Sequence, residues 1–261
     1  MRLLSLGGGV QSSCILWLAE KEMIQPIDEA IFADTGDEPT KVYDYFKYLQ
    51  DNIKKTKITI LHKNKDQKSL SQEFLTDRFT KEGKMWRQPY IPLHYKGGIM
   101  QRQCTANYKS TIIIRYCRQW KSPDKKVSQL IGFSTDEIYR VKPARENWIN
   151  KEYPLLELRM SRNDCMSFFK NNNIRTPEKS SCWHCPYHSN KQWLDMKLND
   201  PDSFAKAVEF DKKIRKLPEI DKHEYYLHKA KLPLEESVGH EEKEGELFDY
   251  DMECNSGHCF T

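Results

Sequence analysis

Three consecutive glycines near the start of the chain constrain its fold and its chemistry more than any other feature. Residues 5–13 read Ser-Leu-Gly-Gly-Gly-Val-Gln-Ser-Ser; they follow the apolar pair Leu3-Leu4 and lead into an apolar segment with helical spacing. A strand, a glycine turn and a helix together place backbone amides around a phosphate. The alternative is an ordinary turn with Ser12 or Ser13 as the helix N-cap. Because such a turn needs one glycine and not three, we favour an anion site.

The first half of the chain alternates between strand-like and helix-like segments. The strand-like segments are 2–6, 29–34, 57–61 and 127–132, and helix-like segments begin near 12, 39 and 110. This alternation predicts an α/β, Rossmann-like fold with a mainly parallel, five-stranded sheet and helices on both faces. Ligands bind beyond the carboxyl ends of strands in such sheets. The glycine loop, Asp34-Thr35-Gly36 and the segment Gly132–Glu137 all lie at predicted strand ends, so we expect them to form one site.

Composition divides the chain into two predicted domains. Residues 1–155 form a nucleotide-binding domain, in which the long polar segment 67–110 is an insertion or lid that carries Cys104. Residues 156–261 form a helical C-terminal region with a C-x-x-C motif and a terminal cysteine motif. Ser161 and Asp164 predict a capped helix at its start.

Length and charge exclude several classes of protein. The 261 residues carry 31% charged side chains and a net charge of +4, and no apolar run approaches the ~20 residues of a membrane helix. The first residues lack the pattern of a signal peptide. We therefore expect a cytoplasmic protein that does not bind membranes. The mild positive charge permits a nucleic-acid partner, and a homodimer is compatible with the sequence.

The eight cysteines fall into two groups. Those in helical patterns, Cys14, Cys117 and Cys165, are predicted to be small buried hydrophobic residues. The others lie in polar or loop segments. Cys104 lies in a polar segment, Cys182 and Cys185 form a C-x-x-C motif before a proline, and Cys254 and Cys259 lie near the end of the sequence. In a cytosolic chain these favour a metal centre over disulfides.

Two metal centres satisfy the ligand count. Zinc would suit Cys182 and Cys185 with His184 or His188, in a structural role. A [4Fe-4S] cluster would take four thiolates from distant segments, with Arg102 and Trp183 as neighbours that tune it. We favour the cluster, held by Cys104, Cys182, Cys185 and Cys259, with Cys254 as the alternative fourth ligand.

In their order along the chain, these motifs resemble the PP-loop (N-type ATP pyrophosphatase) superfamily, and within it the group similar to phosphoadenosine-phosphosulfate reductases. Residues 7–12 match the family loop Ser-Gly-Gly-x-Asp-Ser in frame, with Gly7 and Gln11 in place of the family serine and aspartate. Asp34-Thr35-Gly36 matches the Asp-Thr-Gly of sulfonucleotide reductases. The segment 102–109 resembles the one that carries a cluster ligand, and 253–258 resembles the reductase terminus, where the cysteine is nucleophilic.

The resemblance implies that the chain binds ATP with Mg²⁺. The candidate nucleotide-binding residues are Ser5, Gly7, Gly8, Gly9, Gln11, Ser12, Asp34, Thr35, Gly36, Gly132, Asp136 and Arg140. No Gly-Lys-Ser/Thr follows the glycines, so the loop is not of the Walker A type. A bulky side chain at Gly8 is expected to block ATP binding and to leave the fold intact.

Three functions are compatible with these parts. In the first, ATP adenylates a substrate, such as a nucleobase of tRNA or DNA, and releases pyrophosphate before sulfur transfer or a related modification. In the second, Cys254 attacks the sulfur of a sulfonucleotide as a catalytic thiolate. The third is a nucleotide-binding module with a structural metal and no turnover. We favour the first, because the terminal motif departs from the reductase pattern.

The segment Arg140-Val-Lys142-Pro-Ala-Arg145 suits phosphates of a second substrate, and a solvated surface turn is its alternative interpretation.

Overall fold

Five parallel strands form the centre of the molecule. The computed structural model describes residues 1–63, 66–83, 85–86, 90–215, 217 and 223–238. Its strands, in chain order, are β1 (Arg2–Ser5), β2 (Glu29–Asp34), β3 (Lys57–His62), β4 (Arg78–Phe79), β5 (Met85–Trp86), β6 (His94–Tyr95), β7 (Gly98–Ile99), β8 (Val127–Leu130) and β9 (Ile149–Glu152). The large sheet has the order β3-β2-β1-β8-β9 with every pair parallel, and β4-β5 and β6-β7 are short antiparallel pairs. The predicted five-stranded α/β fold is confirmed.

Helices cover both faces of this sheet. In chain order they are α1 (Val10–Glu20), α2 (Thr40–Asn52), α3 (Leu70–Leu75), α4 (Thr111–Cys117), α5 (Pro154–Glu157), α6 (Arg162–Asn171), α7 (Asn190–Asn199), α8 (Pro201–Arg215) and α9 (Leu234–Ser237). Because successive side chains of a strand point to opposite faces, Leu4 and Phe32 pack with α1, α2 and α6, whereas Leu3 and Ile31 pack with α4.

Helix α1 is buried on nearly all sides. It is apolar around most of its circumference, and it lies between the sheet and α6. Cys14 of α1 and Cys165 of α6 meet in this core, where the neighbouring thiol and burial raise the pKa of Cys14. Cys14, Cys117 and Cys165 are each fully buried, so their prediction as core residues is confirmed. A helix fixed this firmly gives the glycine loop before it a rigid support.

A second hydrophobic core joins the insertion to the C-terminal region. Leu70, Phe74 and Tyr90 of the insertion pack with Trp193 and Phe210 of the C-terminal region.

The predicted cap of α6 is confirmed, since the Ser161 side chain accepts from the Asp164 amide and Asp164 reaches back to the Ser161 amide. The division into domains at residue 155 stays a prediction. None of the described helices combines the length and apolar character that crossing a membrane requires.

The buried carboxylate of Glu29 links β2 to β3 and α4, and this link predicts a pH dependence of stability. Although burial opposes ionisation, hydrogen bonds from Thr59, Lys57 and Tyr116 lower the pKa of Glu29 below its ordinary 4.5. Its stabilising contribution is therefore complete above that value and is lost as the pH falls through the lower, folded-state pKa. We expect Glu29→Gln to reduce the free energy of unfolding by about 2 kcal/mol at pH 7.

That difference between wild type and Glu29→Gln should shrink as the medium is acidified below pH 4.5, the ordinary pKa of this side chain. Urea unfolding at a series of pH values measures it, with Glu22→Gln, at an exposed carboxylate, as the control. A difference that stays constant with pH would contradict the role assigned to the Glu29 carboxylate.

Candidate functional site

The glycine loop leaves a row of backbone donors without acceptors. Gly8 has φ +73° and Gly9 is the N-cap of α1, with φ −91° and ψ 175°. The Ser12 hydroxyl accepts from the Gly7 amide at 3.2 Å and donates to the Gly9 carbonyl at 3.3 Å, which closes the loop on itself. Within the described part of the chain, the amides of residues 8–11 find no hydrogen-bond acceptor. These four donors at the N-terminus of an 11-residue helix favour an anion.

The glycines of the site differ in the space that they leave for a side chain. A Cβ on Gly8 would lie 2.8 Å from Cε2 of Phe46, whereas a Cβ on Gly9 would have no atom within 4 Å. A Cβ on Gly132, just after β8, would lie 2.8 Å from the Ser12 amide nitrogen. Gly132 therefore lets the end of β8 pack directly on the backbone of α1, and the open side of the loop lies at Gly9.

Gln11 connects the loop to the segment after β8 and to α6. Its amide nitrogen donates to Glu137 at 3.3 Å, and its amide oxygen accepts from Arg162 at 3.1 Å. Arg140 donates to the other oxygen of Glu137 at 2.5 Å, and its guanidinium lies 4.0 Å from the centre of the Phe133 ring. Burial raises the pKa of Glu137, and the two arginines oppose this shift.

Three other predicted nucleotide-binding residues have partners inside the protein. Ser5 accepts from the Gln129 side chain at 2.9 Å between β1 and β8. Asp136 accepts from the Arg162 backbone amide at 2.6 Å, which holds the start of α6. Arg140 is buried against Glu137. Nucleotide binding by these residues stays a prediction, and the structure adds a positioning role for each.

The Asp-Thr-Gly turn faces the C-x-x-C motif. Asp34 accepts from the Gly36 amide at 2.8 Å and from the Tyr43 hydroxyl at 3.0 Å. Gly36 has φ +74°, and a Cβ there would lie 2.8 Å from Cβ of Ser69, so the turn requires glycine. The Thr35 hydroxyl lies 3.2 Å from Sγ of Cys182. The turn therefore joins the edge of the sheet to the cysteine-bearing segment.

Two acidic residues directly after this turn were not among the predicted site residues. Asp37 is buried and accepts from the Ser71 amide at 2.6 Å, the Ser71 hydroxyl at 2.8 Å and His184 Nε2 at 2.9 Å. Burial opposes ionisation of Asp37, but His184 and Ser71 lower its pKa overall. Glu38 accepts from Lys109 at 3.4 Å and from Ser180 at 3.3 Å. Their position immediately after Gly36 was the available sequence signal.

Three of the predicted metal ligands line one cleft. The cleft has a volume of about 520 Å³, and Cys104, Cys182 and Cys185 share its wall with Arg102 and Lys109. Burial and the nearby Glu38 raise the pKa of Cys182, while Lys109 and Thr35 favour its thiolate. Cys254 and Cys259 lie outside the described residues. The structure thus brings distant cysteines of the insertion and of the C-terminal region to the same place.

The described residues do not form a complete metal site. Among them, no three or more histidine, cysteine, aspartate or glutamate side chains are arranged to hold a metal ion. His184 and His188, the alternative zinc ligands, direct Nε2 to Asp37 and Ser181 at 2.9 Å each. Trp183 is buried against His184, with ring centres 4.7 Å apart, and Arg102 lies 5.4 Å from the ring of Tyr187. The iron–sulfur cluster and zinc stay predictions.

No protein-family model matches this chain, and comparison with curated proteins gives no match. Among solved structures, the chain is similar to the phosphoadenylyl-sulfate (PAPS) reductase of Candida auris in its phosphate complex. The two are 15% identical, the similarity covers 70% of this chain and 82% of that chain, and the TM-score is 0.47. At this identity and TM-score, the similarity assigns no function to the chain.

Proposed function

We propose that the protein is an ATP-dependent enzyme that adenylates its substrate and releases pyrophosphate. The observation that carries this proposal is the glycine loop at the carboxyl edge of the parallel sheet. Among the described residues, four of its amides find no acceptor and the space at Gly9 is open. Such a loop binds phosphates through its backbone. It also lacks the lysine by which a Walker A loop reaches the β- and γ-phosphates. The α-phosphorus is then the natural position for attack.

The proposed reaction is an adenylation followed by displacement. An acceptor oxygen, such as a nucleobase carbonyl, attacks the α-phosphorus; the bond between this phosphorus and the bridging oxygen breaks, and pyrophosphate leaves with Mg²⁺. A sulfur or nitrogen nucleophile then replaces AMP. The amides of residues 8–11 would hold the phosphates. Gln11 stands where the PP-loop superfamily has aspartate, and its bonds to Glu137 and Arg162 fix the loop.

A basic surface formed by Lys142, Arg145 and Lys151 supports a nucleic-acid acceptor, such as tRNA or DNA. Lys151 donates to the Lys142 carbonyl at 3.1 Å, and burial together with Arg145 and Lys142 lowers the pKa of Lys151. Three cations therefore lie close together. Tyr139, in the same segment, is 69% exposed, as a ring that stacks on a base would be. Phosphate contacts by these cations would position the substrate.

The cysteine cleft favours a second candidate, a sulfonucleotide reductase. Arg102 and Lys109 line the same cleft as the three cysteines, and cations of this kind suit an anionic substrate. In this candidate the Cys254 thiolate attacks the sulfur, and the bond between sulfur and the phosphate oxygen breaks. A second thiol then forms a disulfide with Cys254 and releases sulfite.

One assay separates these functions. We expect conversion of ATP to AMP and pyrophosphate, with no ADP, when Mg²⁺ and the correct nucleic acid are supplied. Cell RNA, DNA and sulfonucleotides are tested in parallel, and AMP, pyrophosphate and sulfite are measured. The variant Lys142→Met with Arg145→Met should lower turnover with nucleic acid and leave ATP binding unchanged.

Other results of this assay would reject the adenylation proposal. Sulfite release that is lost in Cys254→Ser would establish the reductase. ATP or AMP binding without products from any of the three substrate classes would establish the non-catalytic module.

We also propose that Cys104, Cys182, Cys185 and Cys259 hold one [4Fe-4S] cluster. The support is the shared cleft of the first three and the need of such a cluster for four thiolates. In anaerobically purified protein, alanine at any of the four is expected to remove at least half of the iron and sulfide. Cys117→Ala, in the core at the end of α4, is the matched control and should keep both.

The same series decides the fourth ligand. If Cys254→Ala loses iron and Cys259→Ala retains it, Cys254 is the fourth ligand in place of Cys259. Stoichiometric zinc without sulfide in the wild-type protein would overturn the cluster and make the centre structural.

A further inference from the structure

A second polar cleft lies beside the cysteine cleft and shares Ser181 with it. Its volume is about 560 Å³, and its walls come from the start of α2, the segment 178–181, His188 and the segment 192–200. None of the nucleotide-binding predictions uses this cleft, and of the candidate metal ligands only His188, an alternative zinc ligand, lines it. It carries charges of both signs, with Lys41 on α2, Glu178 and Lys179 on the segment 178–181, and Asp195 and Asp200 on the segment 192–200.

The positive charge lies at the start of α2. Lys41 lines the cleft, and neither a hydrogen bond nor an ion pair joins its side-chain ammonium to another described residue. Helix α2 has 13 residues, and Pro39 at its N-cap provides no side-chain hydrogen bond to its amides. Because the N-terminus of a helix attracts negative charge, this end of the cleft favours a carboxylate or another anion.

The facing segments carry the carboxylates of the cleft, with Lys179 beside Glu178. Glu178 lines the cleft, and no contact joins its carboxylate to another described residue. Asp200 accepts from the Ser203 amide at 3.3 Å through Oδ1, while its Oδ2 is buried and has no partner within the described chain. A buried carboxylate oxygen without a donor is unfavourable, so this side of the cleft favours a ligand that donates hydrogen bonds.

His188 provides an independent indication of a ligand. It lines the cleft with only 6% of its surface exposed, and its Nε2 lies 2.9 Å from the Ser181 hydroxyl. Its Nδ1 is buried without a hydrogen-bond partner among the described residues. A buried ring nitrogen without a partner is unfavourable, so it favours a ligand that places a polar atom beside it.

We propose that this cleft binds a free α-amino acid in its zwitterionic form. Its carboxylate would lie at Lys41 and the start of α2, and its ammonium at Asp200 and Glu178. A simple anion would leave the buried Asp200 oxygen unpaired, and a simple amine would leave Lys41 and the helix end unpaired. A ligand with both charges satisfies the two ends together. This site is separate from the proposed ATP site and does not depend on it.

The test uses the full chain and direct titration calorimetry without ATP. Each of the twenty protein amino acids is titrated singly, and at least one is expected to bind with Kd below about 10 mM. For the tightest binder, the matching carboxylic acid without the amino group and the matching amine without the carboxylate should each bind at least about tenfold more weakly. Lys41→Met and Asp200→Asn should each weaken the amino acid about tenfold.

Both variants have controls. Asparagine keeps Oδ1 as an acceptor for the Ser203 amide, so Asp200→Asn retains the start of α8, and a thermal melt checks this. Lys47→Met, at an exposed lysine farther along α2, should leave binding unchanged. Absence of binding by all twenty amino acids would overturn the proposal. Equal affinity for the amine alone, or wild-type affinity in both cleft variants, would also overturn it.

Discussion

Substitution of Gly9 by valine is expected to abolish nucleotide binding while the chain keeps its fold. A Cβ at this position meets no atom of the described residues within 4 Å, and the backbone has φ −91°, which valine adopts without strain. The new side chain would fill the open space in front of the loop amides and hold the phosphates away from them. Hydrogen bonds to a charged group contribute about 1.5–3 kcal/mol each, so loss of two weakens ATP binding by more than about 100-fold.

Calorimetry with ATP and Mg²⁺ measures this loss, and urea unfolding measures the fold. Valine is a poorer N-cap than glycine, so the free energy of unfolding should fall by only about 1 kcal/mol. Gly9→Ser, which keeps a good N-cap and adds less volume, is the matched control and should retain most of the affinity. Wild-type ATP affinity in Gly9→Val would show that the loop is a structural turn and not a phosphate site.

Gly8 is a poorer position for this experiment than the sequence indicated. Its φ of +73° is unfavourable for valine, and its Cβ would lie 2.8 Å from the ring of Phe46. Phe46 stacks on Phe32 of β2 with ring centres 3.9 Å apart, so it has little freedom to move. The expectation that Gly8→Val would leave the fold intact is therefore wrong.

Substitution of Gly132 by valine is expected to destabilise the protein by about 3 kcal/mol. The Cβ of any residue at 132 would lie 2.8 Å from the Ser12 amide nitrogen and 3.0 Å from its Cα. These are backbone atoms of a helix buried between the sheet and α6, so they cannot move aside as a flexible side chain does. Either β8 separates from α1, or the first turn of α1 and the glycine loop are displaced.

The midpoint of urea unfolding measures this effect, with an unchanged slope indicating a change of stability alone. Gly132→Ala should already lose much of the stability, because the first added carbon makes the close contact. Gly9→Ala, with open space around its Cβ among the described residues, is the control and should lose only the roughly 1 kcal/mol of a poorer N-cap. A midpoint within error of wild type for Gly132→Val would show that the close packing of β8 on α1 is wrong.

The fold was predictable because most strands of the large sheet show a clear local sequence pattern. Strands β1, β2, β3 and β8 are compact segments between helix-like ones, and the sequence located all four within a few residues. Strand β9, Ile-Asn-Lys-Glu, was not identified as a segment. It lies at the edge of the sheet and pairs on one side only, so it needs little apolar surface and lacks the usual strand signal.

The candidate site was predictable only in part, because its contacts join distant segments. The sequence placed the glycine loop, Asp34 and Gly132 at strand ends, and the sheet order brings these ends to one edge. No local pattern indicates that Asp37 bonds with His184, 147 residues later, or that Gln11 bonds with Arg162, 151 residues later. Such pairs follow from the packing of the two hydrophobic cores and not from spacing along the chain.

The central position of β1 also governs when this protein can fold. Its two neighbours are β2, which begins at Glu29, and β8, which begins at Val127, so one of its ladders closes a loop of more than a hundred residues. Contacts so far apart in sequence raise the contact order and slow folding. During synthesis, the nascent chain would carry the glycine loop through most of the sheet domain before Gly132 emerges to pack on it. The glycine loop is therefore translated before β2 and β8 but is among the last parts of this sheet to reach its native geometry.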